Sequence, residues 1–233
     1  MKFTKPFIIS VEGIISAGKT SIIEECLIPL WTSQGLRVRV IQEPVYKWND
    51  ILPIFYEDPK RWAYHFQTKA FLDRVEESKM MWEKYKDDTD IFILDRSIFS
   101  DPHFMKVNRD LGNVTEMEMR HYLEWWNMWK EVMPFIPHLF IYVTTTVEDS
   151  MIKLKKRNRP GECVSEEYQT LLKKYHDESF NKHYNIPHLR KNIRVMNIDS
   201  SLRNYTNSDE NTKQEVANEI LVYVKQIEGA ICY

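Results

Sequence analysis

The segment Gly13-Ile14-Ile15-Ser16-Ala17-Gly18-Lys19-Thr20 holds two of only six glycines in a chain of 233 residues. It matches GxxxxGK[ST] in full, a pattern that average residue usage would produce in such a chain on the order of one time in a hundred. Glycines at these positions let successive backbone N–H groups curl around phosphate oxygens at the start of a helix, where the dipole also favours negative charge. All eight residues are candidates for a nucleoside triphosphate site, a P-loop. Lys19 would reach the β- and γ-phosphates, and the Thr20 hydroxyl would hold Mg²⁺. A strand-to-helix turn with an incidental lysine is the plain alternative. The motif alone specifies binding and no reaction.

In an open parallel sheet, ligands bind beyond the carboxyl ends of the strands. That rule brings Glu43-Pro44 and Asp95-Arg96-Ser97, each closing an apolar strand-like run, to the edge where the P-loop lies. Pro44 keeps Glu43 extended and so helps present its carboxylate outward. Spacing alone is also compatible with a solvated carboxylate at Glu43 and an ordinary surface ion pair at Arg96.

The elements that must position these groups alternate in type. Strand patterns fall at 6–12, 36–43, 91–95, 139–144 and 193–199, and helix patterns at 18–34, 58–86, 115–133, 147–156, 165–184 and 212–228. Asp58 and Pro59 form a start signal for the second helix, and Gly35 a stop signal for the first. The alternation predicts an α/β fold, a five-stranded parallel sheet flanked by helices, in a single domain over 1–233. The polar stretch 200–211 reads as a mobile loop, and its sequon Asn204-Tyr205-Thr206 as a chance match.

Thirty-two Lys plus Arg against 34 Asp plus Glu give a net charge of −2, without the basic excess that nucleic-acid binding needs. Hydrophobic residues at 43% and charged ones at 28% describe a globular chain rather than a disordered one. No apolar run is long enough for a membrane span. The first residues run almost directly into a strand, which predicts no leader peptide. Cys26, Cys163 and Cys232 form no CxxC pair and predict a reduced, cytoplasmic setting. No histidine falls in an HExxH pattern, so a structural zinc is not expected.

Further motifs carry a resemblance. Glu43-Pro44-Val45 with Trp48 is similar to the EPVxxW segment of the deoxyribonucleoside kinases, the group of deoxycytidine, deoxyguanosine and deoxyadenosine kinases. Tyr56, Arg61-Trp62 and Phe66-Gln67-Thr68 resemble the substrate helix of that family. Asp95-Arg96-Ser97 with Ser100-Asp101 resembles its (E/D)RS…SD segment, and Arg157, Arg159 and Glu162 its lid, about 155–165. The resemblance runs from Phe7 to Tyr184 and implies a P-loop kinase fold with a lid.

It also implies roles. Glu43 would be the general base toward a nucleoside 5′-hydroxyl, with Arg96 beside the transferring phosphoryl and Asp95 holding a Mg²⁺-bound water. Arg157 and Arg159 would close over the ATP phosphates, where guanidinium geometry matches phosphate. Tyr56 and Glu162 would hold the sugar 3′-hydroxyl, and Gln67 the base edge between Phe66 and Trp48. Either Phe104 or Met105 would cover the base. Arg74 lies seven residues beyond Gln67 on one helical stripe, and in the resembled family an Arg there with an Asp at position 101 goes with purine and cytosine deoxynucleosides rather than thymidine. A homodimer is expected, because helix 115–133 carries Tyr122, Trp125, Trp126 and Trp129, and members of the family pair through helices. Two rivals stand beside this reading. One is a nucleoside monophosphate kinase of the thymidylate kinase type, which needs a basic patch for its acceptor phosphate. The other is a catalytically silent assembly subunit, which predicts a degraded P-loop or a missing base.

Overall fold

Every position of β1 (Phe7–Glu12) is buried, a pattern a strand holds when both faces of its sheet are covered. The computed structural model describes residues 6–180, 183–186, 191–201 and 209–231. Residues 202–208 of the expected loop, its sequon and Cys232 lie outside these.

The P-loop feeds a helix in three parts: α1 (Lys19–Ser21), a wider π-helical stretch over Ile22–Leu27, and α2 (Ile28–Ser33). Pro29 has no N–H to return to the preceding turn, and the helix widens just ahead of it. Then come β2 (Val38–Ile41), α3 (Ile51–Glu57), α4 (Pro59–Tyr85), β3 (Ile91–Asp95), α5 (Asp101–Asp110) and α6 (Glu116–Val132). The chain continues through β4 (Leu139–Thr144), α7 (Val147–Arg157), α8 (Glu166–Ser179), β5 (His183–Ile186), β6 (Lys191–Asp199) and α9 (Glu210–Ile231).

The strands form one sheet in the order β2-β3-β1-β4-β6-β5. β1 lies between β3 and β4 and runs parallel to both, with Phe7 opposite Ile91 and Ile9 opposite Leu139. Alternate residues of β1 face opposite layers. Phe7, Ile9 and Val11 pack with Ile23, Leu27, Ile220 and Val224, while Ile8 packs with Phe92 and Phe135. At roughly 1.5–3 kcal/mol for each large apolar side chain buried, these two layers fix the register of the sheet.

The expected five parallel strands are therefore six, and the edge strand β5 runs antiparallel to β6. The expected helix 165–184 also ends early, at Ser179. Phe180 and Tyr184 stand four apart, a spacing that suits one helix face, but Tyr184 belongs to a strand, and both rings pack on Phe140. The Tyr184 hydroxyl donates to the Phe99 carbonyl at 3.1 Å, which holds β5 against the sheet. Helices α3 and α5 were not expected at all. Both are short, and both begin beside residues with turn-like patterns.

α4 is the ruler of the molecule, 27 residues opened by Asp58, whose carboxylate accepts from the Arg61 N–H at 3.3 Å. Such a cap is worth about 0.5–2 kcal/mol. Its inward stripe reads Ala63, Phe66, Gln67, Ala70, Phe71, Arg74, Val75 and Ser78. Two strongly polar side chains, Gln67 and Arg74, thus sit in an otherwise apolar stripe. α6 opens on a capping box, with Thr115 and Glu118 each bonded to the other's backbone N–H. No described helix is long and apolar enough to cross a membrane.

Candidate active site

Gly13 leaves β1 at φ +154°, and a Cβ there would lie 2.6 Å from the Val143 carbonyl oxygen of β4. Only glycine passes. Gly18 at φ +98° and Ser16 at φ 58° complete the turn, and the Ser200 hydroxyl braces it by donating to the Ala17 carbonyl at 2.7 Å. Ile14 and Ala17 face the core, while Ile15, Ser16 and Lys19 face a cavity. Burial draws the Lys19 ammonium down to about 8, with Arg96 repelling it and Asp95, Glu43 and Glu12 drawing it back up.

Thr20 and Asp95 meet at the mouth of the P-loop, with the threonine hydroxyl donating to Asp95 Oδ2 at 2.7 Å. The other oxygen, Asp95 Oδ1, is buried without a hydrogen-bond partner among the described residues. A hydroxyl and a half-paired carboxylate beside a phosphate loop suit a hard divalent cation that takes its remaining ligands from phosphate and water. Among the described residues no cluster of three or more His, Cys, Asp or Glu could hold a metal alone.

Arg96 follows β3 at φ 71°, a conformation unfavourable for a non-glycine residue. The turn aims its side chain back across the strand ends. Its Nη2 donates to the Gly13 carbonyl at 2.8 Å, its guanidinium lies 4.6 Å above the Phe104 ring, and its Nε is 3.2 Å from Glu43 Oε1. Glu43 also accepts from Arg74 Nη2 at 2.8 Å, and Arg74 Nη1 bonds Asp101. Burial pushes the Glu43 carboxyl up, but Arg96, Arg74 and Lys19 together outweigh it and hold the group down at about 2. For Asp101, burial prevails over Arg74 and raises the carboxyl to about 6.

The cavity in front of these groups spans about 630 Å³, part of it open to solvent. Its floor is Glu43, Arg96, Arg74 and Asp101; its wall is Trp48, Tyr56, Phe66 and Gln67; its roof is Arg157, Arg159 and Glu162. The candidate residues drawn from four separate segments are thus brought together. Phe66 stacks on Phe55 at 4.9 Å and meets the edge of Trp48 at 5.7 Å, making an apolar slot. Gln67 Nε2 is buried beside that slot with no hydrogen-bond partner among the described residues. A buried amide without a partner costs about 1–3 kcal/mol, which a ligand's acceptor atom would recover.

Of the two candidates for covering the base, Phe104 lines the cavity, whereas Met105 is buried in the α4–α6 core. Sequence reasoning missed Leu52, Phe55, Ala70 and Tyr168, all of which line it. Ala70 had a signal, since it lies three residues beyond Gln67 on the same stripe. Tyr168 had none, because α8 reaches the site only through the tertiary fold.

Glu162 pairs with both lid arginines, with Arg157 Nη2 on one oxygen and Arg159 Nη1 3.7 Å from the other. Gly161, at φ +74°, brings the lid onto α3, where a Cβ would lie 2.6 Å from Pro53 Cγ. Burial, with Tyr168 and Glu162 nearby, holds the Tyr56 hydroxyl well above its ordinary range, so it stays a proton donor.

The deoxynucleoside kinase family model matches residues 9–224. The chain is 30% identical over 229 residues to the deoxyguanosine kinase of Lactobacillus johnsonii, covering 94% of this chain and 93% of that one. It is 33% identical over 174 residues to the probable deoxycytidine kinase of Fowlpox virus, covering 73% and 70%. A solved structure of deoxyadenosine kinase from M. mycoides, with dCMP and a flexible dCDP bound, shares the fold at a TM-score of 0.70 and 24% identity, over 93% of this chain and 100% of that one.

The charge balance at Glu43 has a measurable consequence. Its folded carboxyl lies below the ordinary 4.5, so its ionised form stabilises the fold above that pH, and the contribution is lost as pH falls toward about 2. Glu43→Gln is therefore expected to lower the thermal midpoint at pH 7. The gap from the unmodified protein should narrow as pH falls from 4.5, as followed by calorimetry across that range.

Proposed function

The chain belongs to the deoxynucleoside kinase family, and we propose that it transfers the γ-phosphoryl group of ATP to the 5′-hydroxyl of a purine or cytosine deoxynucleoside in nucleotide salvage. The observation that carries this is a carboxylate, Glu43, held ionised between two guanidinium groups at the edge where the P-loop presents Lys19.

In this reading the nucleoside lies in the slot of Trp48, Phe55 and Phe66, with its base edge on Gln67 and its face under Phe104. Tyr56 and Glu162 take the 3′-hydroxyl. Glu43 orients the 5′-hydroxyl and accepts its proton as the oxygen bonds to phosphorus. In a loose transition state that proton turns acidic late, so a weakly basic but always ionised carboxylate suffices. Arg96 and Lys19 neutralise charge on the transferring phosphoryl, and the lid arginines do so from above. Mg²⁺ would be held by Thr20 and Asp95, and it would offset phosphate charge. A monophosphate acceptor would bring its phosphate to the Glu43 carboxylate at the 5′ end, where Arg74 and Arg96 are already paired with that carboxylate. The intact P-loop and Glu43 likewise argue against a silent subunit.

We also propose a single domain spanning 1–233 and a cytoplasmic setting, the latter in keeping with Cys26 and Cys163 as free thiols.

Lys19→Ala and Glu43→Gln are each expected to leave a folded protein and to cost turnover heavily, about 10²–10⁴-fold for the base. Radiolabelled transfer from ATP to a panel of nucleosides measures this; near-normal kcat in Glu43→Gln would remove that residue as the base.

Selectivity should follow the buried Arg74–Asp101 pair, which fills the space where a 5-methyl group would sit. Breaking one partner of such a pair is costly, so thymine would be excluded by more than crowding. Arg74→Met with Asp101→Ala is expected to raise thymidine use and lower use of the native base. Efficient thymidine phosphorylation by the unmodified protein would contradict this.

We also propose a homodimer through α6. Met117, Trp125, Met128 and Val132 are all exposed at helical spacing on the side away from buried Met119 and Tyr122. Of the aromatics read from the sequence only Trp125 lies on that stripe, since Tyr122, Trp126 and Trp129 pack into the protein's own core, and pairing with a second copy would cover the stripe. Trp125→Glu with Met128→Glu is expected to shift sedimentation from dimer to monomer at micromolar concentration.

A further inference from the structure

His176 lies on α8, fully buried, and no motif pointed to it. Its Nδ1 is 2.8 Å from the Leu172 carbonyl, an atom that can only accept, so Nδ1 carries the ring proton. The other nitrogen, Nε2, is then the acceptor, and it lies 3.3 Å from Arg96 Nη1, which can only donate. The two neighbours thus dictate the tautomer. Protonating the ring would set an N–H against an N–H and a cation against the Arg96 guanidinium. Burial, with His103 and Arg96 nearby, holds the ring well below its ordinary range.

The surroundings hold the ring in place. The His103 ring meets it at 4.7 Å, Phe180 at 5.9 Å and Tyr142 lies near parallel at 6.2 Å. His103 is itself tied by Nε2 to the Ser179 hydroxyl at 2.8 Å. Arg96 needs such a support, because its backbone sits at φ 71° and its long side chain would otherwise sample several rotamers. Gly13 holds one arm of the fork, His176 at 3.3 Å and the Ser100 hydroxyl at 3.5 Å share the other, Glu43 faces Nε, and Phe104 covers one face.

We propose that His176 is a positioning residue for phosphoryl transfer: a permanently neutral acceptor on α8 that fixes the plane of the Arg96 guanidinium across the end of β1 and β3. It touches neither substrate nor phosphate. The proposal rests on Arg96 acting in the transfer step, as read above.

Three variants separate the possibilities. His176→Phe keeps the ring and removes the acceptor, and it is expected to lower kcat 10- to 100-fold with KM for ATP and nucleoside changed less than threefold. His176→Gln places an amide oxygen near the Nε2 position and should recover kcat to within about threefold of the unmodified enzyme, since the acceptor is restored. Arg96→Ala is measured alongside. If Arg96→Ala keeps its turnover, the reading of Arg96 itself fails. If Arg96→Ala is impaired but His176→Phe is not, or if Gln fails to rescue, the positioning role is overturned. Nitrogen-15 NMR of the unmodified protein tests it without mutation. The His176 ring should show a protonated Nδ1 and an unprotonated Nε2, unchanged between pH 5 and 9 on the scale where a free imidazole titrates near 6.5. A proton on Nε2 would sink the proposal.

Discussion

The Glu43 carboxylate stands between the guanidinium groups of Arg74 and Arg96, and removing it would leave two cations facing each other in a poorly hydrated place. Breaking a pair of this kind typically costs more than the pair itself contributes, because the stranded charge has no water to turn to. The same arrangement that makes the fold tolerate two inward arginines also keeps one oxygen site permanently ionised in front of the P-loop. Stability and chemistry draw on one set of charges, while burial shifts Lys19 down and Asp101 up against the pull of their opposite-charge neighbours.

Holding that set requires elements distant in sequence. β1 contributes the P-loop, β2 leads to Glu43, β3 to Arg96, and α4 delivers Arg74 from the side. Glu12, at the end of β1, accepts from the Ser97 N–H at 3.0 Å and from the Ser10 hydroxyl at 2.6 Å, which ties the exits of β1 and β3 together beneath the cavity. The Trp126 indole donates to the Ile98 carbonyl at 2.7 Å, so α6 braces the loop that follows Arg96. The contacts of Glu12 with Ser97 and of Trp126 with Ile98 are short in space and long in sequence, the feature that makes such a sheet slow to assemble.

How much could be read beforehand depended on whether the signal was local. The P-loop declares itself through its local GxxxxGK[ST] pattern, although the carbonyl that Gly13 makes room for belongs to distant β4, and strands β3 and β4 because both faces are apolar. The stripe on α4 was visible in the spacing of Gln67 and Arg74. β5 was hidden, since His183–Ile186 has only four residues and follows aromatics that also fit a helix. Tyr168 and His176 were hidden for a different reason. Their role arises where α8 lies beside Arg96, and nothing in the neighbouring residues of α8 announces that partner.

The roof of the cavity is held together differently from its floor. Arg157, Arg159 and Glu162 pair among themselves, whereas the contact with α3 at Gly161 is one of shape, a backbone fitting against the Pro53 ring. Two guanidinium groups share the single Glu162 carboxylate, so the trio keeps one positive charge in excess. Because these residues line the cavity from above, that excess makes the roof a surface that attracts anions.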